Sequence, residues 1–425
     1  MECKILDIFL WVFIFYVLAL AFACIVIPDH KYKPVFVAGM IGSMVLRFAT
    51  VLYIYRWGCD TFGTDGLLYH KIGKQIAYQL SDGIPLAKIE YPYTFYSLFI
   101  GLIYYIFGIN RYIASFFNVF LIFLSGLMLF RMALKRKLGF ENASIITLIF
   151  LYFPNIVLWT ADTRKESLMI FVCFLAWYLV QDISNNTFNG KFIRSLGYII
   201  KVAAICLLIW IATMIRIYLF IPMVLGIVAS QAINFLRNKQ KASIFVALAV
   251  VASMVVIFFT TVYEGIESHH ALSLPQSTNE EDFAKDVHQK MEAIEQIIFK
   301  KNLAREIINF IILPTPSNVD IDDIRGMDKA ILSVQIDMLV WYFCIFLMLA
   351  GIYSAIKNVD SCSIGILIYI LAYILINAML VQSDPGTIYR YRAQIVGFSM
   401  LFVDFEGLKR ILYGFFYVKQ TRSIR

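Results

Sequence analysis

Long apolar runs dominate the chain and recur from its first residues almost to its last. About a dozen of them approach the roughly 20 residues that a helix needs to cross the hydrocarbon core of a bilayer. The pattern predicts an all-α fold, a polytopic transmembrane helical bundle of about 11–13 spans. The predicted spans are Ile5–Ile27, Pro34–Tyr55, Thr94–Gly108, Tyr112–Ala133, Ala143–Trp159, Ser167–Asp182, Leu196–Ala212, Ile217–Phe235, Ser243–Val262, Ala330–Ala355, Ser363–Val381 and Ala393–Tyr413.

Two polar stretches interrupt this pattern, at residues 56–91 and 264–329. In the first, apolar residues recur at helical spacing, which predicts an amphipathic helix over Asp65–Leu80 lying on the membrane surface. In the second, a similar helix is predicted from about Phe283 to Ile312. We therefore expect residues 1–425 to form a single transmembrane domain, with amphipathic helices in two extracytoplasmic loops.

Basic clusters give the expected orientation, because Lys and Arg are enriched in cytoplasmic loops. Residues 135–137, 237–241 and the tail from 409 are predicted to be cytoplasmic. Counting spans from the tail places the polar loops 160–166, 264–329 and 382–392 outside. The basic loop His30–Lys33 is expected inside, which places residues 56–91 outside as well.

This orientation contains a conflict. Three apolar segments lie between the first polar stretch and residues 160–166, whereas two loops on one side require an even number of crossings. Thr94–Gly108 has only about 15 residues, which is short for a span. Either this segment is re-entrant or partly interfacial, or one of the two loops lies on the other side.

Composition agrees with a membrane protein, since 60% of residues are hydrophobic and 16% are charged. Soluble domains average about 45–50% and 25%. The 37 basic and 29 acidic residues give a net charge of +8, which is too modest and too dispersed to indicate nucleic-acid binding. We expect membrane lipids as partners and the plasma (inner) membrane of a bacterium as the location.

The first polar stretch contains the strongest candidate for catalysis. Asp65 and Tyr69 are four residues apart and share one face of the predicted helix. Asp65 is interpreted either as a catalytic carboxylate or as a helix cap. Asp60 is a second candidate carboxylate in the same loop, and His70 follows Tyr69 directly.

Further candidates for binding lie at the ends of later spans. Acidic and basic residues alternate in residues 162–166, between two predicted spans. The basic side chains there suit a lipid phosphate. Alternatively, the same residues simply begin the next helix. Arginines near the same predicted face suit a phosphate or pyrophosphate headgroup, and the alternative is anchoring to lipid headgroups. These residues are Asp162, Arg164, Lys165, Glu166, Arg216, Arg390 and Arg392.

Five local motifs carry a resemblance to a known family. They are Asp65-Gly-Leu-Leu-Tyr69 with Gln79–Gly83; Tyr91-Pro92-Tyr93 with Ile103–Gly108 and Arg111; Phe153–Trp159 followed by Glu166; Ile215–Tyr218; and Tyr389–Arg392. In order and spacing they resemble the GT-C superfamily, the polytopic glycosyltransferases that use polyprenyl-phosphate-linked sugars such as dolichyl-phosphate-mannose. The likeness is densest over residues 56–182.

The resemblance implies sugar transfer from a polyprenyl-linked donor to a glycan or lipid acceptor. It implies that Asp65, with Asp60 as the second candidate, is the general base, and that the basic residues neutralise the departing phosphate. Tyr69 and His70 join the substrate-binding set. Glu166 or Asp162 would bind sugar hydroxyls or help to hold a divalent ion, and a bound Mg²⁺ or Mn²⁺ stays open.

Two other functions share these features. A polysaccharide polymerase that joins lipid-linked repeat units also needs many spans and external arginines. A transporter or flippase is the further alternative, although paired repeats with broken helices, typical of transporters, are not found in the sequence.

Overall fold

A computed structural model describes most of the chain. The described residues are 5–57, 65–89, 95–185, 192–238, 243–252, 303–316, 331–381, 385–405, 407 and 409. Within these residues the chain forms helices and short turns, and no β-strand.

The helices follow one another with short connections. In chain order they are α1 (Ile5–Val26), α2 (Lys33–Trp57), α3 (Asp65–Ser81), α4 (Phe95–Phe107), α5 (Arg111–Lys135), α6 (Phe140–Tyr152), α7 (Pro154–Thr160), α8 (Glu166–Asn185), α9 (Phe192–Ile215), α10 (Phe220–Asn238), α11 (Ser243–Ala252), α12 (Leu303–Ile312), α13 (Ile331–Lys357), α14 (Ser361–Val381) and α15 (Pro385–Met400). Single 3-10 turns lie at Leu86–Lys88 and Ile217–Leu219.

Seven of the described helices are long and apolar enough to cross a membrane, and α6 with α7 makes an eighth if the pair is one broken span. Shorter apolar helices occur in α1, α4 and α11. The chain is therefore an integral membrane protein with a polytopic helical bundle, as predicted. The larger number of about 11–13 spans, and the extracytoplasmic position of the two polar stretches, stay predictions.

The predicted span Ala143–Trp159 is not one continuous helix. The structure has two helices there, α6 and α7, bent by 52° at Phe153-Pro154. Proline lacks the N–H that would continue the helix and disfavours helical geometry in the residue before it, and Phe153 accordingly has extended backbone angles. The Asp337 carboxylate then accepts a 2.7 Å hydrogen bond from the free Asn155 N–H in the first turn of α7.

The predicted last span, Ala393–Tyr413, also needs correction. Helix α15 begins eight residues earlier, at Pro385, and ends at Met400. Proline suits a helix start because its missing N–H would be unsatisfied there in any case. The predicted polar loop before Ala393 is thus largely helical, and α15 is almost fully buried from Ile388 onward.

Helices α10 and α14 pack closely because glycines face each other at their contact. A Cβ atom on Gly226 would lie 2.7 Å from the Gly365 carbonyl oxygen, so only glycine permits this approach. Small residues at such contacts are the usual way in which membrane helices approach each other. The contact holds the first half of α10 against the start of α14.

Helices α3 and α4 form a hairpin whose beginning and end both lie beside Asp162. Gly66, at the start of α3, and Arg111, at the start of α5, both contact Asp162. Helix α3 covers the predicted amphipathic helix, and α4 has only 13 residues, or about 20 Å, against a hydrocarbon thickness of about 30 Å. The short segment is therefore part of a hairpin, which favours the alternative in which Thr94–Gly108 is re-entrant or partly interfacial.

Candidate functional site

The candidate site is built around the connection between α7 and α8, residues 161–165. Helix α5 fixes this connection, because the Asn118 side-chain amide donates to the carbonyls of Asp162 (2.7 Å) and Arg164 (3.1 Å). Such bonds satisfy buried backbone carbonyls of a connection that lies outside both helices. The polar side chains of the connection are thereby held in place.

Asp162 is the centre of a first ionic group. Its carboxylate lies 2.9 Å from Arg111 Nη2 and 3.1 Å from Arg164 Nε, and it accepts a 2.6 Å bond from the Thr163 N–H. Burial raises the pKa of Asp162, but the two guanidinium groups and the N–H outweigh it and hold that pKa below its ordinary value. Asp162 is therefore an anion fully occupied by its neighbours.

Glu166 joins two arginines that are distant in sequence. Its Oε1 accepts bonds from Arg216 Nη2 at 2.9 Å and from Arg390 Nε at 2.6 Å. Arg216 reaches it from the extended residue that separates α9 from the following 3-10 turn. The Glu166 side chain is only 1% exposed, so its evident effect is to hold the two guanidinium groups.

Asp65 extends this second group toward the solvent-accessible side. Its Oδ2 lies 2.7 Å from Arg390 Nη1, and its side chain is 39% exposed, against 3% for that of Asp162. Gly66 brings the two groups together, because a Cβ there would collide with the Asp162 carboxylate. Asp65 is thus the accessible carboxylate of an otherwise buried ionic cluster.

Lys165 supplies a positive charge beside this carboxylate. It is partly buried, and within the described part of the chain its ammonium has no hydrogen-bond or ion-pair partner. Burial is the main cause that lowers the pKa of Lys165 to about 8; Arg216 and Arg390 lower it further, whereas Glu166 and Asp65 raise it. An ammonium in this setting is stabilised by an incoming anion.

Trp159 lies between the two ionic groups. The guanidinium carbons of Arg164 and Arg390 are 4.8 Å and 5.4 Å from the centre of its ring. Such cation–π contacts stabilise a guanidinium while leaving its edges free for other partners.

The complete cluster carries an excess of two positive charges. Its five basic side chains are Arg111, Arg164, Lys165, Arg216 and Arg390, and its three carboxylates are Asp65, Asp162 and Glu166. A phosphate monoester carries nearly two negative charges at neutral pH. The cluster is therefore suited to receive a phosphate group next to one accessible carboxylate.

Two further predicted site residues, Tyr69 and His70, make their described contacts with side chains outside the cluster. Tyr69 is buried and packs edge-on against Tyr96, while His70 Nδ1 is 2.8 Å from the Tyr104 hydroxyl. Burial and the charges of nearby basic residues lower the pKa of His70. Asp60 lies outside the described residues.

Arg392 does not join Arg390 in the cluster. Two residues apart on α15, the side chains point in different directions, as helix geometry requires. Arg392 is buried and donates to the carbonyls of Ile311 (3.0 Å) and Leu313 (2.6 Å), at the end of α12. The expectation that both arginines converge on one headgroup therefore does not match the structure.

Sequence reasoning gave no site role to Arg111, Trp159 or Asn118. Arg111 directly precedes the predicted span Tyr112–Ala133, on the same predicted side as residues 160–166, and this position is a usable signal for an ion pair. Trp159 and Asn118 give no comparable signal, because an aromatic residue and an amide within apolar runs are common in helix packing.

Metal binding gains no support from geometry, since the described residues contain no group of three His, Cys, Asp or Glu side chains arranged to hold an ion.

No protein-family model matches the chain, and no curated protein or solved structure is significantly similar to it.

Proposed function

We propose that the protein is a membrane glycosyltransferase of the GT-C type. It transfers a sugar from a polyprenyl-phosphate or pyrophosphate donor to a glycan or lipid acceptor, at the outer face of a bacterial plasma membrane. One observation carries the proposal: the accessible carboxylate of Asp65 belongs to a cluster in which five basic side chains face three carboxylates, an excess of two positive charges.

The chemistry requires one base and one anion site. Asp65 takes the proton of the acceptor hydroxyl as its oxygen bonds to the anomeric carbon of the donor sugar. The bond between that carbon and the phosphate oxygen breaks, and the electron pair leaves with the lipid phosphate. Arg390 binds Asp65 Oδ2, so the proton is assigned to Oδ1.

The cations stabilise the leaving group. Lys165 has no partner to give up among the described residues and is therefore the first contact expected for the phosphate. Arg390 can turn from Asp65 toward the same anion while its Nε stays on Glu166. Glu166 acts through the arginines: it holds them in position before the substrate arrives, the condition under which electrostatic stabilisation is most effective.

Asp65→Asn tests the proposal. The purified variant is incubated with radiolabelled polyprenyl-phosphate and polyprenyl-pyrophosphate sugars, and both transfer and donor affinity are measured. We expect turnover to fall by about 10²–10⁴-fold, the usual contribution of a general base. Donor binding should be unchanged or tighter, because a negative charge beside the phosphate has been removed.

Asp82→Asn is the matched control, since Asp82 is an exposed aspartate just after the opposite end of α3. It should leave transfer unchanged. Normal turnover in Asp65→Asn would exclude Asp65 as the base. Transfer from oligosaccharide pyrophosphate donors alone would favour the polymerase alternative.

A further inference from the structure

A second basic site lies at the opposite end of the bundle from the Asp65 cluster. Helix α5 connects the two ends, with Arg111 in the cluster and Lys135 at its other terminus. Its 25 residues span about 38 Å, more than the roughly 30 Å thickness of the hydrocarbon core. The two ends therefore face opposite sides of the membrane.

A cavity of about 480 Å³ opens at this end, between α5, α8, α10, α13 and the start of α14. Four basic side chains line it, against one acid. The residues that carry these charges are Lys135, Arg136, Lys137, Arg237 and Asp360. Residues 135–137 and Arg237, from two sequence clusters that independently predicted the cytoplasmic side, thus line one cavity.

Much of the positive charge in the cavity is uncompensated. Lys135 is paired with Asp182 at 2.7 Å, and Arg136 lies 3.6 Å from Asp360. Lys137 and Arg237, by contrast, have no ion pair within the described residues, and Arg237 donates only to backbone carbonyls of the turn before α14. Two cations are therefore available to an anion.

The start of α14 adds to this preference. Ser361 and Cys362, in its first turn, line the cavity, so the positive end of the helix dipole faces it. Buried Gln181 also lines the cavity, and its Oε1 lacks a hydrogen-bond partner in the described structure. The cavity thus offers charge for an anion and one acceptor for a neighbouring hydroxyl group.

Apolar surface adjoins the cavity. Ser354 and Ala355 of α13 line it, while Tyr353 and Ile356, beside them in sequence, are more than half exposed. An amphiphile can place a charged headgroup in the cavity and its acyl chains along this surface. Basic pockets between membrane helices on the cytoplasmic side bind anionic lipid headgroups in this manner.

We propose that this basic cavity binds a phosphate or phosphodiester group, carried by an anionic lipid or by a soluble phosphate compound. The site is separate from the proposed transfer site and does not depend on it.

The test uses the purified full-length chain. Native mass spectrometry compares the retention of phosphatidylglycerol and phosphatidylcholine with the same acyl chains. A second arm compares inorganic phosphate with chloride, at equal ionic strength, by thermal unfolding. We expect phosphatidylglycerol to be preferred, and the double variant Lys137→Gln/Arg237→Gln to bind it about 25-fold more weakly, about fivefold for each charge.

Lys357→Gln is the matched control, because Lys357 is exposed at the same end of the bundle but does not line the cavity. It should keep the preference. A stabilisation by inorganic phosphate alone that the double variant loses would support the site and identify the source as soluble. A preference that survives in the double variant, or no effect of either ligand, would overturn the proposal.

Asp360→Asn provides a test that misfolding cannot imitate. It removes the one acid of the cavity, and asparagine can still cap α14. We expect phosphatidylglycerol to bind about fivefold more tightly. Weaker binding would contradict the site.

Discussion

Glu166→Gln tests whether the buried carboxylate organises the arginines. The change removes the negative charge shared by Arg216 and Arg390, at 2.9 Å and 2.6 Å, while keeping the shape of the side chain. Breaking a buried pair by neutralising one partner costs about 3–5 kcal/mol, because the remaining charge stays buried without compensation. Since glutamine can still accept one bond, we expect the lower end, a loss of about 3 kcal/mol in the free energy of unfolding.

The assay is unfolding in mixed micelles, monitored by circular dichroism. Glu141→Gln is the matched control, because Glu141 also lies in the first turn of a helix but is exposed. Both changes remove a helix-dipole interaction of about 0.3–1 kcal/mol, so their difference isolates the ion pairs. The double variant Glu166→Gln/Arg216→Gln should recover part of the loss. Equal losses in the two single variants would refute the reasoning.

Three further predictions concern charge and packing. Burial lowers the pKa of Lys165 to about 8. Donor affinity, measured by titration, should therefore be constant below about pH 8 and fall up to about tenfold per pH unit above it, because the ammonium loses its proton. In Lys165→Arg this decline should be absent below about pH 10. Gly101→Ala places a methyl group against α3 and should lower the free energy of unfolding by about 1–3 kcal/mol, whereas Gly197→Ala, which points into open space, should not destabilise the protein. Arg392→Gln removes the donor to two carbonyls at the end of α12, so hydrogen exchange measured by mass spectrometry should accelerate there while donor affinity stays unchanged.

Much of the bundle could be predicted from hydropathy, because a lipid-facing helix must satisfy its backbone internally and be apolar along its length. The break around Arg216 was expected and is present. The final helix was predicted to start eight residues too late, because hydropathy favours the apolar run after Ala393 over the polar residues before it. Polar residues such as Arg392 can belong to this helix because they are buried against other parts of the protein.

Asp65 forms an ion pair with Arg390, which lies 325 residues later in the chain. Sequence alone could not show that Arg390 reaches the cluster and Arg392 does not, because the direction of each side chain depends on how α15 is rotated against its neighbours. Nor could it show that Glu166 is buried, since an acid in the first turn of a helix is equally common at a surface.

The hairpin of α3 and α4 has a consequence for experimental topology maps. A reporter enzyme fused after Ser81 and one fused after Arg111 stand on either side of an apolar segment that any hydropathy count scores as a crossing. Because the hairpin ends where it began, reporters placed before Asp65 and after Arg111 should give the same sidedness. If α4 were counted as a crossing, every later loop would be assigned to the wrong side of the membrane. The topology map should therefore leave α4 out of the count.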